Sequence, residues 1–195
     1  SKKENQDYQL ALQISDDGKE ALLATGTIGL QNAIPTWDID VAFSDYNMSL
    51  IAGLTNDFFS PFRGKANGNL QLSSTVGKII PTGEFVVDEL TLGVPYLNTL
   101  YNFTAAVPFR FSEDLIRINT SPFSSGDDQT AQLTGVLNHQ SFSNWGLDMN
   151  INATQLEVLN TPFTEESLYY GNAYFKGDAH IHGAFSNMQI DVVGE

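Results

Sequence analysis

The chain contains no cysteine, which excludes disulfide bonds, catalytic thiols and thiolate metal ligands. Positive charge is also scarce: 9 Lys and Arg residues stand against 23 Asp and Glu residues, for a formal net charge of −14. Nucleic-acid backbones and anionic lipid headgroups attract proteins that carry basic patches. We therefore predict no nucleic-acid partner, and we interpret the acidic excess as a solvated surface that keeps the protein soluble.

Long apolar runs are missing as well. No segment approaches the ~20 apolar residues of a transmembrane helix, and residues 1–6 are too polar to begin a signal peptide. The hydrophobic content of 42% is nevertheless ample for a core or a groove. We interpret the chain as a piece of a longer protein, and its cysteine-free composition fits the oxidising bacterial envelope.

The sequence also lacks the motifs that carry common enzyme chemistry. It has no Gly-x-Ser-x-Gly nucleophile elbow, no phosphate-binding loop and no His-Glu-x-x-His zinc motif. We predict that the protein is not an enzyme, that it has no catalytic residue and that it needs no cofactor.

One pair of residues has a spacing that suits a metal. Alternation along a strand places His180 and His182 on the same face, and two such imidazoles can bind an ion. No third ligand is evident nearby in sequence, and the only other histidine is His139, so we interpret the pair as polar residues on a solvent face. The acidic pairs 127–128 and 165–166 lack the alternate spacing of a calcium loop and are typical of turns. The sequence therefore predicts no metal site.

What the chain has in abundance are aromatic residues, glycine and short stretches of alternating polarity. There are 13 Phe, 7 Tyr and 16 Gly, and this usage favours sheet over helix. We predict an all-β fold: an elongated, curled β-sheet (a β-taco or gutter) with an apolar interior. The pattern leaves open whether neighbouring strands are antiparallel or parallel. At most one short helix is expected, near residues 50–58, where apolar residues recur every three or four positions.

Two landmarks recur at nearly the same separation. Trp37 and Trp145 lie 108 residues apart (145 − 37), and Gly64 and Gly171, each in a Gly-x-Ala motif, lie 107 apart (171 − 64). Such agreement predicts a divergent internal repeat, roughly residues 25–74 and 134–187, within a single β-taco segment that spans residues 1–195.

The second round of this repeat carries a family resemblance. Residues 155–161 (QLEVLNT), 165–183 (EESLYYGNAYFKGDAHIHG) and 187–191 (NMQID) resemble the conserved C-terminal region of the TamB family of translocation and assembly module proteins, which are related to AsmA-like proteins. Residues 59–72 (FSPFRGKANGNLQL) are similar to a Gly-x-Ala-x-Gly-x-Leu pattern of the same family. The resemblance is strong over about the last third of the chain and weaker over most of the rest.

The resemblance implies a long sheet folded lengthwise around an apolar interior, in a periplasmic protein that an N-terminal helix anchors in the inner membrane. Family members partner an Omp85-type outer-membrane barrel through regions that lie outside this chain. They are implicated in moving phospholipid to the outer membrane and in outer-membrane protein assembly and secretion. We therefore expect phospholipid acyl chains as the cargo of an apolar groove.

The predicted lining of that groove consists of the apolar residues that alternate along the strands: Leu10, Leu12, Ile14, Trp37, Ile39, Val41, Phe43, Phe103, Val107, Phe109, Trp145, Leu147, Met149, Ile151, Ile190 and Val192. Two alternatives stay open. The chain is a periplasmic chaperone or scaffold that pairs an exposed edge, near Pro108, with nascent outer-membrane β-strands. Otherwise it is a closed β-sandwich with an adhesive or sugar-binding role, which composition alone favours over an open groove.

Overall fold

The computed structural model describes residues 6–50, 59–163 and 170–194, and every structural statement below refers to them. They form one antiparallel sheet of twelve strands, which confirms the all-β prediction. The strands are β1 (Gln6–Asp16), β2 (Lys19–Gln31), β3 (Ile34–Asn47), β4 (Phe62–Thr75), β5 (Lys78–Val94), β6 (Thr99–Phe103), β7 (Val107–Ser112), β8 (Leu115–Gly126), β9 (Gln129–Gln140), β10 (Ser143–Thr161), β11 (Gly171–Ala184) and β12 (Asn187–Gly194).

Helical structure is nearly absent from the described residues. Residues 48–50 form a single 3₁₀ turn, and most of the helix predicted near residues 50–58 lies outside the described residues. The acidic pair at residues 165–166 also lies outside them. Within the described ranges, no helix has the length and apolar character needed to cross a membrane.

The strands follow one another as a meander, so almost every strand pairs with its neighbours in sequence. The exception is the space between β5 and β8, which β6 and β7 share: β6 pairs with the end of β5, and β7 pairs with its middle. One continuous sheet thus takes the place of the two sheets that a sandwich requires.

The prediction of an edge near Pro108 is wrong. Residues 104–106 interrupt the alternating run and separate β6 from β7, so the predicted break exists. However, β7 pairs on both sides, with β5 and with β8, and Pro108 lies opposite Val86. The proline is accommodated at the start of β7, where the pairing with β8 has not yet begun: the first β7–β8 pair is Phe109 with Ile118.

Residues 122–128 contain Pro122, Gly126, Asp127 and Asp128, residue types that are typical of a hairpin connection, but most of this segment belongs to a strand. Strand β8 continues through Pro122 to Gly126, and the turn contains only Asp127 and Asp128. A register shift between Ile118 and Ser121 explains why the proline is accommodated, because a β-bulge disrupts the ladder just before it.

Strand pairing divides the sheet into two faces. Residues opposite each other in an antiparallel pair share a face, so the apolar series can be followed from strand to strand. Leu12 of β1 lies opposite Ala24, which lies opposite Val41, which lies opposite Leu70. We call the face that carries this series the inner face and the opposite one the outer face.

Glycine residues on the inner face allow the sheet to curl. Gly68 lies opposite both Phe43 and Phe85, and the rings of these two residues meet above it at a centroid distance of 5.4 Å. Their strands are separated by β4, so an uncurled sheet would hold them about 9.6 Å apart. Gly135 occupies the equivalent position between Ile118 and Met149. A side chain at either glycine would overlap backbone atoms of the adjacent strand.

The curl brings β5 and β6 back against β10 at both ends of these strands. At one end, the Asn160 amide donates to the Leu97 carbonyl at 2.9 Å, and the Tyr101 hydroxyl donates to the Glu157 carbonyl at 3.1 Å. At the other end, the Ile79 amide donates to Ser141 Oγ at 3.2 Å. We call these contacts the Leu97 seam and the Ser141 seam.

The apolar core lies between the two seams. Its fully buried members come from the inner face of the middle strands, and they include Val87, Leu90, Val107, Phe123 and Leu156. Outside the seams the sheet is a single layer. The accessible surface area of 12098 Å² exceeds the about 9,100 Å² expected for a compact monomer of 21.4 kDa, as an incompletely covered sheet requires.

Candidate functional site

The residues predicted to line a groove fall on the inner face. Pairing relates Leu10, Leu12 and Ile14 of β1 to the apolar series of β3, and β12 joins the same series through Ile190 and Val192. The remaining members lie on the strands between, namely Trp37, Ile39, Val41, Phe43, Phe103, Val107, Phe109, Trp145, Leu147, Met149 and Ile151. The apolar surface therefore continues across all twelve strands.

Exposure of this surface changes along the sheet. In the middle strands Val107 is fully buried and Phe103 and Met149 are nearly so. On the outermost strands, by contrast, Leu12 is 49% exposed, and Ile190 is 63% exposed. The inner face is thus a dry core between the seams and an open apolar surface at β1 and at β12.

A β-bulge keeps strand β5 apolar on the inner face along its whole length. Phe85 and Val87 face inward, and Glu89 adopts a positive φ of 53° at the point where the β4–β5 register shifts. One extra residue in the strand returns Leu90 and Leu92 to the same face. The apolar residues change parity between Val87 and Leu90 in the sequence, as a bulge requires, and pairing with β4 shows that both sets face inward.

Aromatic rings fill the interior between the seams. The rings of Phe85 and Phe109 stack at 5.3 Å, and those of Phe103 and Phe123 stack at the same distance. Tyr101 stands against Phe123 in an edge-on arrangement, and burial raises the pKa of its phenol. The phenol therefore stays protonated and remains a donor to the Glu157 carbonyl.

His139 closes the interior next to the Ser141 seam. Its ring is 2% exposed, it stacks on Phe142 at 4.9 Å, and it lies 5.0 Å from the Trp145 ring. Nδ1 accepts from the Phe142 amide at 3.3 Å, whereas Nε2 has no hydrogen-bond partner within the described residues. Burial lowers the pKa of His139, against a smaller opposite effect of the Asp114 carboxylate.

We expect this histidine to make the fold sensitive to acid. Because its pKa is lower in the folded protein than in the unfolded chain, its contribution is fully present above the unfolded value of about 6.5 and is lost as the pH falls below it. His139→Phe keeps the stacked ring and removes the titration, so its stability should decline less between about pH 7.5 and about pH 5.5. Urea unfolding at the two pH values measures this. Equal declines in both proteins would contradict the assignment.

The outer face is polar and carries most of the resolved ion pairs. Arg110 of β7 pairs with Glu84 of β5. Two further His–Asp contacts lie on β10–β12, and both histidines of the predicted solvent-facing pair take part in them. Strand pairing places the predicted lining residues of β1, β3 and β12 on the inner face, opposite to these ion pairs.

Sequence reasoning missed several core residues. Tyr46 and Met48 are buried, although they follow the end of the clear alternation of β3. Leu156 is 3% exposed, and it was missed because a register shift between Ala153 and Leu156 breaks the period of β10.

Comparison with known families gives one result. The family model of the TamB C-terminal domain matches residues 120–194, which confirms the resemblance over that part of the chain. This segment comprises the end of β8 and all of β9–β12. The TamB family consists of non-enzymatic transport and assembly proteins of the cell envelope with a role in outer-membrane biogenesis. Searches of curated proteins and of solved structures give no match to the chain.

Proposed function

We propose, from the match of residues 120–194 to the TamB C-terminal domain, that this chain is a segment of a periplasmic, envelope-spanning bridge that conducts phospholipid acyl chains toward the outer membrane. In the full-length protein an inner-membrane anchor and an Omp85-type barrel partner complete the route. The observation that carries the proposal is the continuous apolar inner face, which is exposed at both ends of a single sheet.

The physical basis is transfer of alkyl chains from water to an apolar wall. Each buried CH₂ group contributes about 0.8 kcal/mol, so an acyl chain needs no charged pocket to be held. The headgroup stays in water at the open side of the curl, which is consistent with the acidic surface of the protein. No residue has to perform chemistry, so the direction of movement must be imposed by the rest of the envelope.

The structure also suggests where acyl chains are accepted. Large apolar side chains are exposed on the inner face of β1, at Tyr8 and Leu12, and on that of β12, at Met188, Ile190 and Val192. These two flanks are single-layered, whereas the core between the seams is already filled by protein side chains. We therefore place the first contacts with lipid on the flanks.

Strand β12 offers a matched pair of variants for testing this. Val192 lies on the inner face opposite Ala179, and Val193 lies on the outer face opposite Asp178; both are exposed, at 57% and 78%. Val192→Asp should abolish most phospholipid binding on this flank, whereas Val193→Asp, the same change one residue away, should leave it intact. Native mass spectrometry of the purified protein, after incubation with phospholipid vesicles, counts the bound lipids.

Circular dichroism of both variants is the control for folding. Equal lipid binding by the two variants would contradict an inner-face site. If the unmodified protein showed only its lipid-free mass, the proposal that this segment conducts acyl chains would be wrong.

The second candidate function is assembly of outer-membrane proteins by β-augmentation. The observation that favours it is β12, an edge strand of the described sheet whose eight residues are all exposed. In that case an unfolded β-strand peptide, rather than lipid, should protect the β12 amides from hydrogen exchange. The same purified protein serves for both measurements, so the two functions are directly distinguishable.

A further inference from the structure

Three metal-ligating side chains converge on the outer face of the last three strands, and a fourth side chain, that of Asp148, lies beside one of them. β11 contributes His180 and His182, β10 contributes Asp148, and β12 contributes Asp191. The register produces this arrangement: His182 lies opposite Asp148 on one side, and His180 lies opposite Asp191 on the other. Each imidazole is thus flanked by a carboxylate from a neighbouring strand.

The side chains converge more closely than the backbone pairing requires. His180 Nε2 lies 2.9 Å from Asp148 Oδ1, and His182 Nε2 lies 3.0 Å from Asp191 Oδ2, so both contacts run diagonally across the strands. The two imidazole rings stack at a centroid distance of 4.5 Å with an interplanar angle of 22°. The stacked rings thus lie side by side on β11, with one carboxylate on each side of the pair.

We propose that this cluster is a binding site for a divalent transition-metal ion, with Zn²⁺ the best-matched candidate. His180, His182 and Asp191 would be ligands through imidazole nitrogen and carboxylate oxygen, water would complete the coordination, and Asp148 would orient the His180 ring through its contact with Nε2. Imidazole nitrogen and carboxylate oxygen are donors that zinc accepts in four-coordinate sites. Copper and nickel also favour imidazole, whereas magnesium and calcium favour oxygen donors.

The distances suit closure around an ion. Ligand atoms of the two histidines and Asp191 all lie within 4.8 Å of one another. Ligand atoms that lie about 2.0–2.1 Å from an ion at the corners of a tetrahedron are about 3.4 Å from one another. Side-chain rotations that move these atoms by about 1 Å therefore complete the site. The strands hold the backbone in register, while the histidine side chains, at 39% and 31% exposure, are free to make this adjustment.

Two features distinguish this cluster from an ordinary polar surface. The sequence offered only a His-x-His pair, and the third ligand, Asp191, comes from the neighbouring strand β12, 9 residues from His182 in the chain. In addition, His180 and Asp191 line a depression of about 280 Å³ on this face, which leaves room for an ion and its water. Among the described residues, it is the one group of three or more such side chains that converges in this way.

A metal ion at this site would stabilise the pairing of β12, the least buried strand of the described sheet. All eight residues of β12 are exposed, and its hydrogen bonds to β11 are the only ladder that holds it in the described sheet. An ion bound by residues of β11 and β12 adds a cross-strand link near the middle of β12. The site faces away from the apolar inner face, so it is independent of the proposed lipid function.

The test uses tag-free protein, because a histidine tag would itself bind zinc. Isothermal titration with Zn²⁺ should show one site, and hydrogen exchange should show slower exchange of the β12 amides in the presence of the ion. His180→Ala, His182→Ala and Asp191→Ala should each weaken binding by about tenfold or more. Magnesium and calcium should not compete.

Asp178→Asn is the matched control. Asp178 lies on the same face of β11, two residues from His180, and bonds to Asn152 rather than to a histidine. The Asp178→Asn variant has less negative charge near the site but keeps every proposed ligand. Its zinc affinity should therefore stay within about threefold of that of the unmodified protein. Visible absorption of the cobalt-loaded protein reports coordination by nitrogen and oxygen ligands. Absence of stoichiometric zinc binding, or binding that survives His180→Ala combined with His182→Ala, would overturn the proposal.

Discussion

Replacing Gly68 with alanine is expected to destabilise the protein by more than about 3 kcal/mol. A Cβ at this position would lie 2.5 Å from the Glu84 carbonyl oxygen and 2.6 Å from Phe85 Cα, both of them backbone atoms that cannot move independently. The residue also has a φ of +146°, which side chains of L-residues rarely allow. Backbone strain at this φ and steric overlap of the added Cβ therefore both destabilise the sheet at the point where the rings of Phe43 and Phe85 meet.

The loss is large relative to the about 5–15 kcal/mol that stabilises a typical domain. Urea unfolding followed by circular dichroism measures it. Gly126→Ala is the matched control, because the nearest atoms to a Cβ there belong to the flexible Gln129 side chain, at 3.3 Å. We expect a change below about 1 kcal/mol for the control. If the two variants unfolded at the same urea concentration, the inner-face glycines would not determine the curl.

Most of the fold was predictable because its dominant feature is local. Alternation of apolar and polar residues has the period of a strand, so segments such as residues 37–43 indicate both the strand and its apolar face. Antiparallel pairing follows from two-residue hairpins such as that at Asp17 and Gly18, whose positive φ values of 48° and 76° suit a tight turn.

The features that escaped prediction depend on distant partners. No local pattern shows that Pro108 lies between two strands, because that depends on β6 ending early and on β7 occupying the remaining space. Likewise, whether the apolar face is covered depends on contacts such as those between Leu97 and Asn160, 63 positions apart (160 − 97). The sequence therefore left a closed core and an open groove as alternatives, and the structure has a buried core in the middle strands and an exposed apolar surface on β1 and β12.

The same limitation applies to the outer face. From sequence, His180 and His182 had no third ligand, because Asp191 is brought alongside them only by the β11–β12 register. The internal repeat of residues 25–74 and 134–187 remains a prediction. Its landmarks, Trp37 and Trp145, lie on β3 and β10, while Gly64 and Gly171 lie on β4 and β11.

Joining the two sides of the Leu97 seam by a disulfide is expected to produce the largest gain in stability. Leu97 and Asn160 share a backbone hydrogen bond of 2.9 Å, so their Cα atoms lie close together, as a disulfide requires. Because the chain has no cysteine, Leu97→Cys combined with Asn160→Cys can form only one intramolecular bond. Closing a loop of this length should stabilise the folded state by about 4 kcal/mol.

Reduction of the same protein provides the control, since it removes the cross-link and leaves both substitutions in place. Mass spectrometry verifies the bond, and urea unfolding of the two forms gives the difference in stability. Failure to form the disulfide, or equal stability of the two forms, would show that β10 does not lie against the β5–β6 turn in solution.

The cross-linked protein also tests where phospholipid binds. If acyl chains bind on the flanks, at β1 and β12, the oxidised form should take up as much phospholipid as the reduced form, because the seam lies away from both flanks. Loss of uptake on oxidation would instead mean that chains enter by parting the walls between β5 and β10. In that case the dry core between the seams would be the closed state of the conduit, and the seams would be its gate.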